Sequence, residues 1–155
     1  PVFGSYTDQA AQKAVASLFI EKFAAVAGPD KELLLLFEGD PQFLAPADRA
    51  KVDYFVLDTK ETDNATDLKL QVLRALSAGA IPCNKLLLGA KTEYEFTDED
   101  KGAADAISAL TIRTPEIGSQ PLAGLCIYSV NADYFGAEFI YPLTRQAIQT
   151  LNPSK

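Results

Sequence analysis

The run Leu33-Leu34-Leu35-Leu36-Phe37, closed by Glu38-Gly39-Asp40, decides how the chain is read. Five large apolar residues in succession do not fit a strand with one wet face. They fit a strand covered on both sides and ended by a Gly-Asp turn. Leu34–Phe37 is therefore expected inside a sheet, with neighbouring elements supplying both covers.

On its N-terminal side the run is preceded by a helix. Residues 5–27 carry Ala11, Ala14, Val15, Leu18, Phe19, Phe23 and Val26 at helical spacing, with Gln12, Lys13, Glu21 and Lys22 on the other side. Ser5 or Thr7 can cap it, and Ala27-Gly28-Pro29 is a stop: glycine takes the left-handed position and proline cannot continue the helix.

On the C-terminal side, residues 40–51 read as irregular, with a short turn at Ala47–Ala50. Val52–Leu57 is a second apolar strand. Residues 64–78 form a helix with Leu68, Val72, Leu73 and Leu76 on one stripe, ended by Ser77-Ala78-Gly79. Lys85–Phe96 is one long strand, or two broken near Gly89: apolar on both sides at first, then alternating. Strand, helix, strand is the order of a βαβ unit. Thr97-Asp98-Glu99-Asp100 opens a further helix carrying Ala103, Ala104, Ile107 and Leu110. Leu122–Val130 and Tyr134–Tyr141 follow as strands, and Pro142 starts a terminal helix over 142–151. The expected fold is one domain over 1–155, α/β or α+β, with a mixed sheet of about five strands and helices packed on its faces.

Composition removes whole classes of function. A length of 155 residues suits one domain that buries its own core without a metal or disulfide staple. The formal net charge of -7, with no Lys/Arg cluster, opposes binding to nucleic acid or to an anionic membrane, since both need basic surfaces. Histidine is absent, so a Ser-His-Asp triad, a Cys-His dyad and a His-ligated metal are all excluded within one chain. Cys83 and Cys126 sit in apolar company and read as unpaired, unreactive core thiols. No apolar run has the ~20 residues of a membrane span, and no basic n-region marks a signal peptide. The cytoplasm or a virion is the expected setting. The same sequence also fits a mature form whose signal has been removed. No cofactor is expected, because GxGxxG, GxxxxGK[ST] and GxSxG are all missing.

Three groups of residues could carry function. Glu38 and Asp40 follow the first strand, and Asp58, Glu61 and Asp63 the second. Carboxylates from neighbouring strand ends, Asp40 with Asp58, could hold Mg²⁺. The plainer reading makes them turn and cap residues. Thr97–Asp100 has three adjacent carboxylates, but without EF-hand spacing, and a helix N-terminus accounts for it. Tyr128, Tyr134, Phe135, Phe139 and Tyr141 could line an interface or a ligand pocket, or simply fill a core.

The function expected from these features is non-enzymatic: a structural or assembly subunit acting through protein partners, as a homo-oligomer or in a larger particle such as a phage tail or capsid. Its contact residues would be Tyr94 and Phe96 on an exposed strand rim, and Tyr134, Phe135, Phe139 and Tyr141 in the C-terminal segment, whose terminal residues 151–155 need a partner to hold them. The alternatives are a carboxylate-based, Mg²⁺-assisted hydrolase using Asp40 and Asp58, and a binding module for a small apolar ligand.

Overall fold

The computed structural model describes residues 9–59, 65–91 and 121–128, together with 141, 144–145 and 148–149. In chain order these form α1 (Gln9–Phe23), β1 (Leu36–Glu38), a 3-10 turn (Pro41–Phe43), α2 (Pro46–Arg49), β2 (Tyr54–Asp58), α3 (Ala65–Gly79), a second 3-10 turn (Cys83–Lys85), β3 (Leu86–Lys91) and β4 (Gly124–Tyr128). The expected strand over 134–141, the helix over 97–110 and the outer half of the long strand, 92–96, lie outside the described residues.

Each boundary has a local cause. Past Phe23 the chain turns and reaches Gly28 at φ 118, where a Cβ would lie 2.7 Å from the Lys51 carbonyl oxygen. The Gly28 amide donates to the Leu33 carbonyl at 2.8 Å, closing the loop that delivers β1. Asp53 then ties β1 to β2 twice. Its carboxylate accepts from the Leu35 amide at 2.7 Å, and its own amide donates to the Leu35 carbonyl at 2.9 Å. Asp40 caps the first 3-10 turn, accepting from the Gln42 amide at 2.9 Å. Arg49 clamps the irregular stretch. Its Nε donates to the carbonyls of Pro41 and Leu44, both at 3.0 Å, and its Nη1 to that of Gly79 at 2.5 Å. The last contact sets a cation at the negative end of α3.

The described sheet is parallel throughout, in the order β1-β2-β3-β4. The order follows the sequence and never reverses. With right-handed crossovers, every connection in such a sheet falls on the same side. The core agrees. Phe37 and Phe55 are in register, as are Phe55 and Leu86, and Leu57, Leu88 and Leu125. These face one apolar cluster shared with Ile20 of α1 and with Leu68, Val72, Ala75 and Leu76 of α3. Phe37 meets Phe55 edge-on at 6.2 Å. The βαβ order expected for β2, α3 and β3 is thus a parallel unit, and β3 runs through Gly89 without a break.

One expectation fails. Leu34–Phe37 is not interior. Among the described residues β1 pairs only with β2, so it is an edge. Leu35 is 8% exposed, but Leu33, Leu34 and Leu36 are 60%, 62% and 45% exposed. The helix layer covers one side of the strand. Its other side and its outer edge carry the same kind of residue without that cover.

Candidate functional site

Two places in the described residues carry more than packing. The first is a groove of about 680 Å³ along the outer edge of β1. Its walls are Ala16, Phe19 and Phe23 of α1 and Leu36 and Phe37 of β1, and Glu38 and Asp40 stand at one end. The helix wall arises because Ala16, Phe19 and Phe23 follow helical spacing, and Phe19 and Phe23 continue an apolar stripe begun by Val15 and Leu18 outside the groove. Phe19 stacks on Phe23 with centroids 6.3 Å apart. Val15, Leu18, Phe19 and Phe23 are all exposed.

The second place is the face of the sheet opposite the helices, near the carboxyl ends of the strands. Glu38 is in register with Val56, and Asp58, Gly89 and Cys126 share a row. Tyr128 lies two residues beyond Cys126, so strand alternation brings all of these to one face. Tyr128 Oη donates to Glu38 Oε1 at 2.8 Å. These residues belong to β4 and β1, three strand spacings apart, about 14 Å in a flat sheet. Tyr128 is also four residues further along than Gly124, which shares a row with Glu38 through Val56 and Leu87. That adds about 13 Å at 3.3 Å per residue. No flat sheet lets the two side chains meet, so this sheet is curled, with its concave side away from the helices. Gly89 makes room for the reach: a Cβ there would come within 2.9 Å of Tyr128 Cε2 and 3.1 Å of the Leu57 carbonyl oxygen. Thr59 donates its hydroxyl to the Gly89 carbonyl and holds the end of β3 from below.

Electrostatics sharpen this face. Burial pushes the Tyr128 phenol well above its usual range; the hydrogen bond to Glu38 and the charges of Glu38, Cys126 and Asp58 add to the rise. The Cys126 thiol is likewise raised, first by burial and then by Glu38, against a lowering hydrogen bond from Tyr128. Both groups are held neutral beside a carboxylate. The face can therefore donate and accept hydrogen bonds, with the Glu38 carboxylate as the acceptor for Tyr128. Cys83 and Cys126 are free, the first buried and the second half-buried.

The residues singled out in the sequence are distributed unevenly. Asp40 sits just past the carboxyl end of β1, and Asp58 is the last residue of the adjacent β2. The Asp40 carboxylate, however, is engaged by Gln42, through the backbone amide at 2.9 Å and Nε2 at 3.1 Å. Among the described residues no group of three His, Cys, Asp or Glu side chains is arranged to hold a metal ion. Tyr141 is half-buried, with φ 54, and its carbonyl accepts from the Arg145 amide at 2.9 Å. Tyr94, Phe96, Tyr134, Phe135 and Phe139 lie outside the described residues. The sequence reading missed the pairing of Glu38 with Tyr128 and the apolar stripe of α1 as a surface. The first has no sequence signal, since the two residues are 90 apart. The second was visible as a stripe, but not as one left uncovered. No described helix is long and apolar enough to cross a membrane.

The sequence matches no family model and no curated protein. In fold, the chain is similar to a solved structure of a substituted, selenomethionine form of BT1044, with a TM-score of 0.63 at 16% identity. The match covers 88% of this chain and 44% of that one, so the chain spans less than half the length of that protein.

Proposed function

We propose that the chain is a non-enzymatic assembly module that works through protein–protein contacts made at the β1 edge. One observation carries this. The helix layer ends at α1 with an apolar stripe, and the strand layer ends at β1 with Leu34 and Leu36 uncovered, both at the same side of the molecule. A contiguous apolar surface spanning two layers is what a protein partner covers, and a strand edge unpaired among the described residues offers it backbone hydrogen bonds as well. The test is sedimentation of the tagged chain in an extract of its source organism. The expected particle is larger than the 16.7 kDa of one chain. A species of one chain mass at all loadings would overturn the proposal.

A second reading has its own observation. Glu38 both lines the groove and bonds Tyr128, so the groove has an apolar body and a polar end, at a volume within the roughly 300–1,000 Å³ of small-molecule sites. On this reading the chain binds a small, mostly apolar ligand with one polar group directed at Glu38. Such a ligand would raise the melting temperature of the isolated chain, and Glu38→Gln would reduce the shift. The Mg²⁺ hydrolase alternative rests on Asp40 and Asp58 alone, and the engagement of Asp40 with Gln42 weighs against it.

A further inference from the structure

From its lining we infer that the groove between α1 and β1 binds a small organic ammonium. The apolar body of the ligand sits on the phenylalanines, and its positive charge is directed at Glu38 and Asp40. This rests on the ligand reading above and names the chemical class of that ligand. It is independent of what pairs with the β1 backbone.

Charge selects the class. The groove, about 680 Å³, is walled by Phe19, Phe23, Leu36 and Phe37. Among the described residues the charged side chains that line it are Glu38 and Asp40, both negative, and no lysine or arginine joins them. Their printed partners are neutral donors. Glu38 Oε1 accepts from Tyr128 Oη at 2.8 Å. Asp40 accepts from the Gln42 amide at 2.9 Å and from Gln42 Nε2 at 3.1 Å. Neutral donors orient a carboxylate and leave its charge uncancelled. A carboxylate has about four lone-pair sites, so both keep room for another donor. The groups beside Glu38 on the sheet supply no positive charge: Tyr128 and Cys126 are held neutral, and Asp58 is a further carboxylate.

This end of the groove therefore repels an anion and gains little from a neutral group. An ammonium answers both carboxylates and brings three N–H donors. The walls agree, because the faces of phenylalanine rings attract a cation where an aliphatic wall would only desolvate it. The net charge of -7 acts in the same direction at longer range.

The experiment is calorimetric titration of the purified chain with decylammonium, decanol and decanoate, each below the concentration at which it aggregates, at low and high salt. Decylammonium should bind tightest and decanoate weakest, and the gap should narrow as salt rises. Glu38→Gln and Asp40→Asn remove a charge while keeping an acceptor for Tyr128 and for Gln42. Each should weaken decylammonium by about two- to fivefold, the size of an exposed ion pair, and leave decanol unchanged. Phe19→Ala should weaken decylammonium and decanol alike. Glu21→Gln, exposed on α1 outside the groove, removes the same charge and should change nothing. Equal binding of decylammonium and decanol, or an equal loss in Glu21→Gln, would overturn the inference. Equal binding that Phe19→Ala still weakens would spare the ligand reading while sinking the cation. No binding by any of the three probes would sink both.

Discussion

Two stretches of this chain are built from the same kinds of residue and meet opposite fates. Tyr54–Leu57 on β2 and Leu33–Phe37, which runs into β1, are both nearly unbroken apolar runs, joined by parallel pairing from Leu36↔Tyr54 to Glu38↔Val56. On β2, Phe55 is 1% exposed and Val56 is buried on the other side of the strand. Of Leu33–Phe37, the run that leads into β1, only Leu35 is buried, while Leu34 is 62% exposed. An apolar run records how much cover a strand calls for. Whether the cover is present depends on the strand's place in the sheet, and among the described residues β2 has a neighbour on each side where β1 has one.

The sharpest way to break this comparison is to place one charge at adjacent positions of the same run. Leu35→Asp puts an unpaired carboxylate into the core beside Phe55 and Ile20, and should cost about 4 kcal/mol or more. Leu34→Asp, one residue earlier, should change the stability of the monomer by under ~0.5 kcal/mol, as exposed substitutions do. Urea unfolding of both variants at concentrations where the chain is monomeric checks the pair. Equal losses would mean that Leu34 has cover on the monomer itself, and the edge would not be an edge.

A second contrast lies between the two sides that β1 separates, the clamped helix side and the open side. Arg49→Ala leaves the carbonyls of Pro41, Leu44 and Gly79 without their donor in a partly buried setting. A loss of about 2–3 kcal/mol is expected, read as a lower urea midpoint at unchanged slope. Arg49→Lys should recover little, because an ammonium cannot hold three carbonyls in the fixed geometry of a guanidinium. Full recovery with Lys would show that charge at the end of α3, not the fork, does the holding.

The parts of this fold that were legible in sequence are those set by local chemistry. Gly28 at a positive φ, the stripe Leu68–Val72–Leu76 on α3 and the βαβ order all follow from neighbours a few residues apart. Asp40 as a cap belongs with them. The edge position of β1 was not legible, because an apolar run looks the same whether its second cover comes from its own chain or from elsewhere. Nor was the Glu38–Tyr128 contact, which exists because the curl of four strands brings β1 and β4 within reach. From the sequence, the stretch around Gly89 could be read as one long strand or as two broken there. The role of Gly89 is the space it leaves under the Tyr128 ring, and that depends on what β4 places there.

The smallest effect expected is also the most specific to the concave face. Tyr128→Phe removes one exposed hydrogen bond to Glu38 and should cost about 1 kcal/mol at neutral pH. Its signature lies at alkaline pH. The Tyr128 phenol is raised above its usual 10.0 by burial first and by Glu38 second, so the folded chain keeps this proton after the unfolded chain has lost it. The unfolded state then binds fewer protons than the folded one, and stability falls as pH rises. The stabilising contribution is complete below about pH 10 and is lost as pH climbs from there towards the raised folded value. Cys126, raised from 9.0 by burial and then by Glu38, starts the same decline about one unit earlier. The wild-type chain should therefore lose stability progressively above pH 9. Tyr128→Phe should flatten the part above pH 10, and Cys126→Ser the part that begins near 9. Urea midpoints collected from pH 7 to 11 in the three proteins decide it. If Tyr128→Phe follows the wild-type curve in parallel up to pH 11, the phenol is not held by Glu38 across the sheet, and the curl drawn from that contact fails with it.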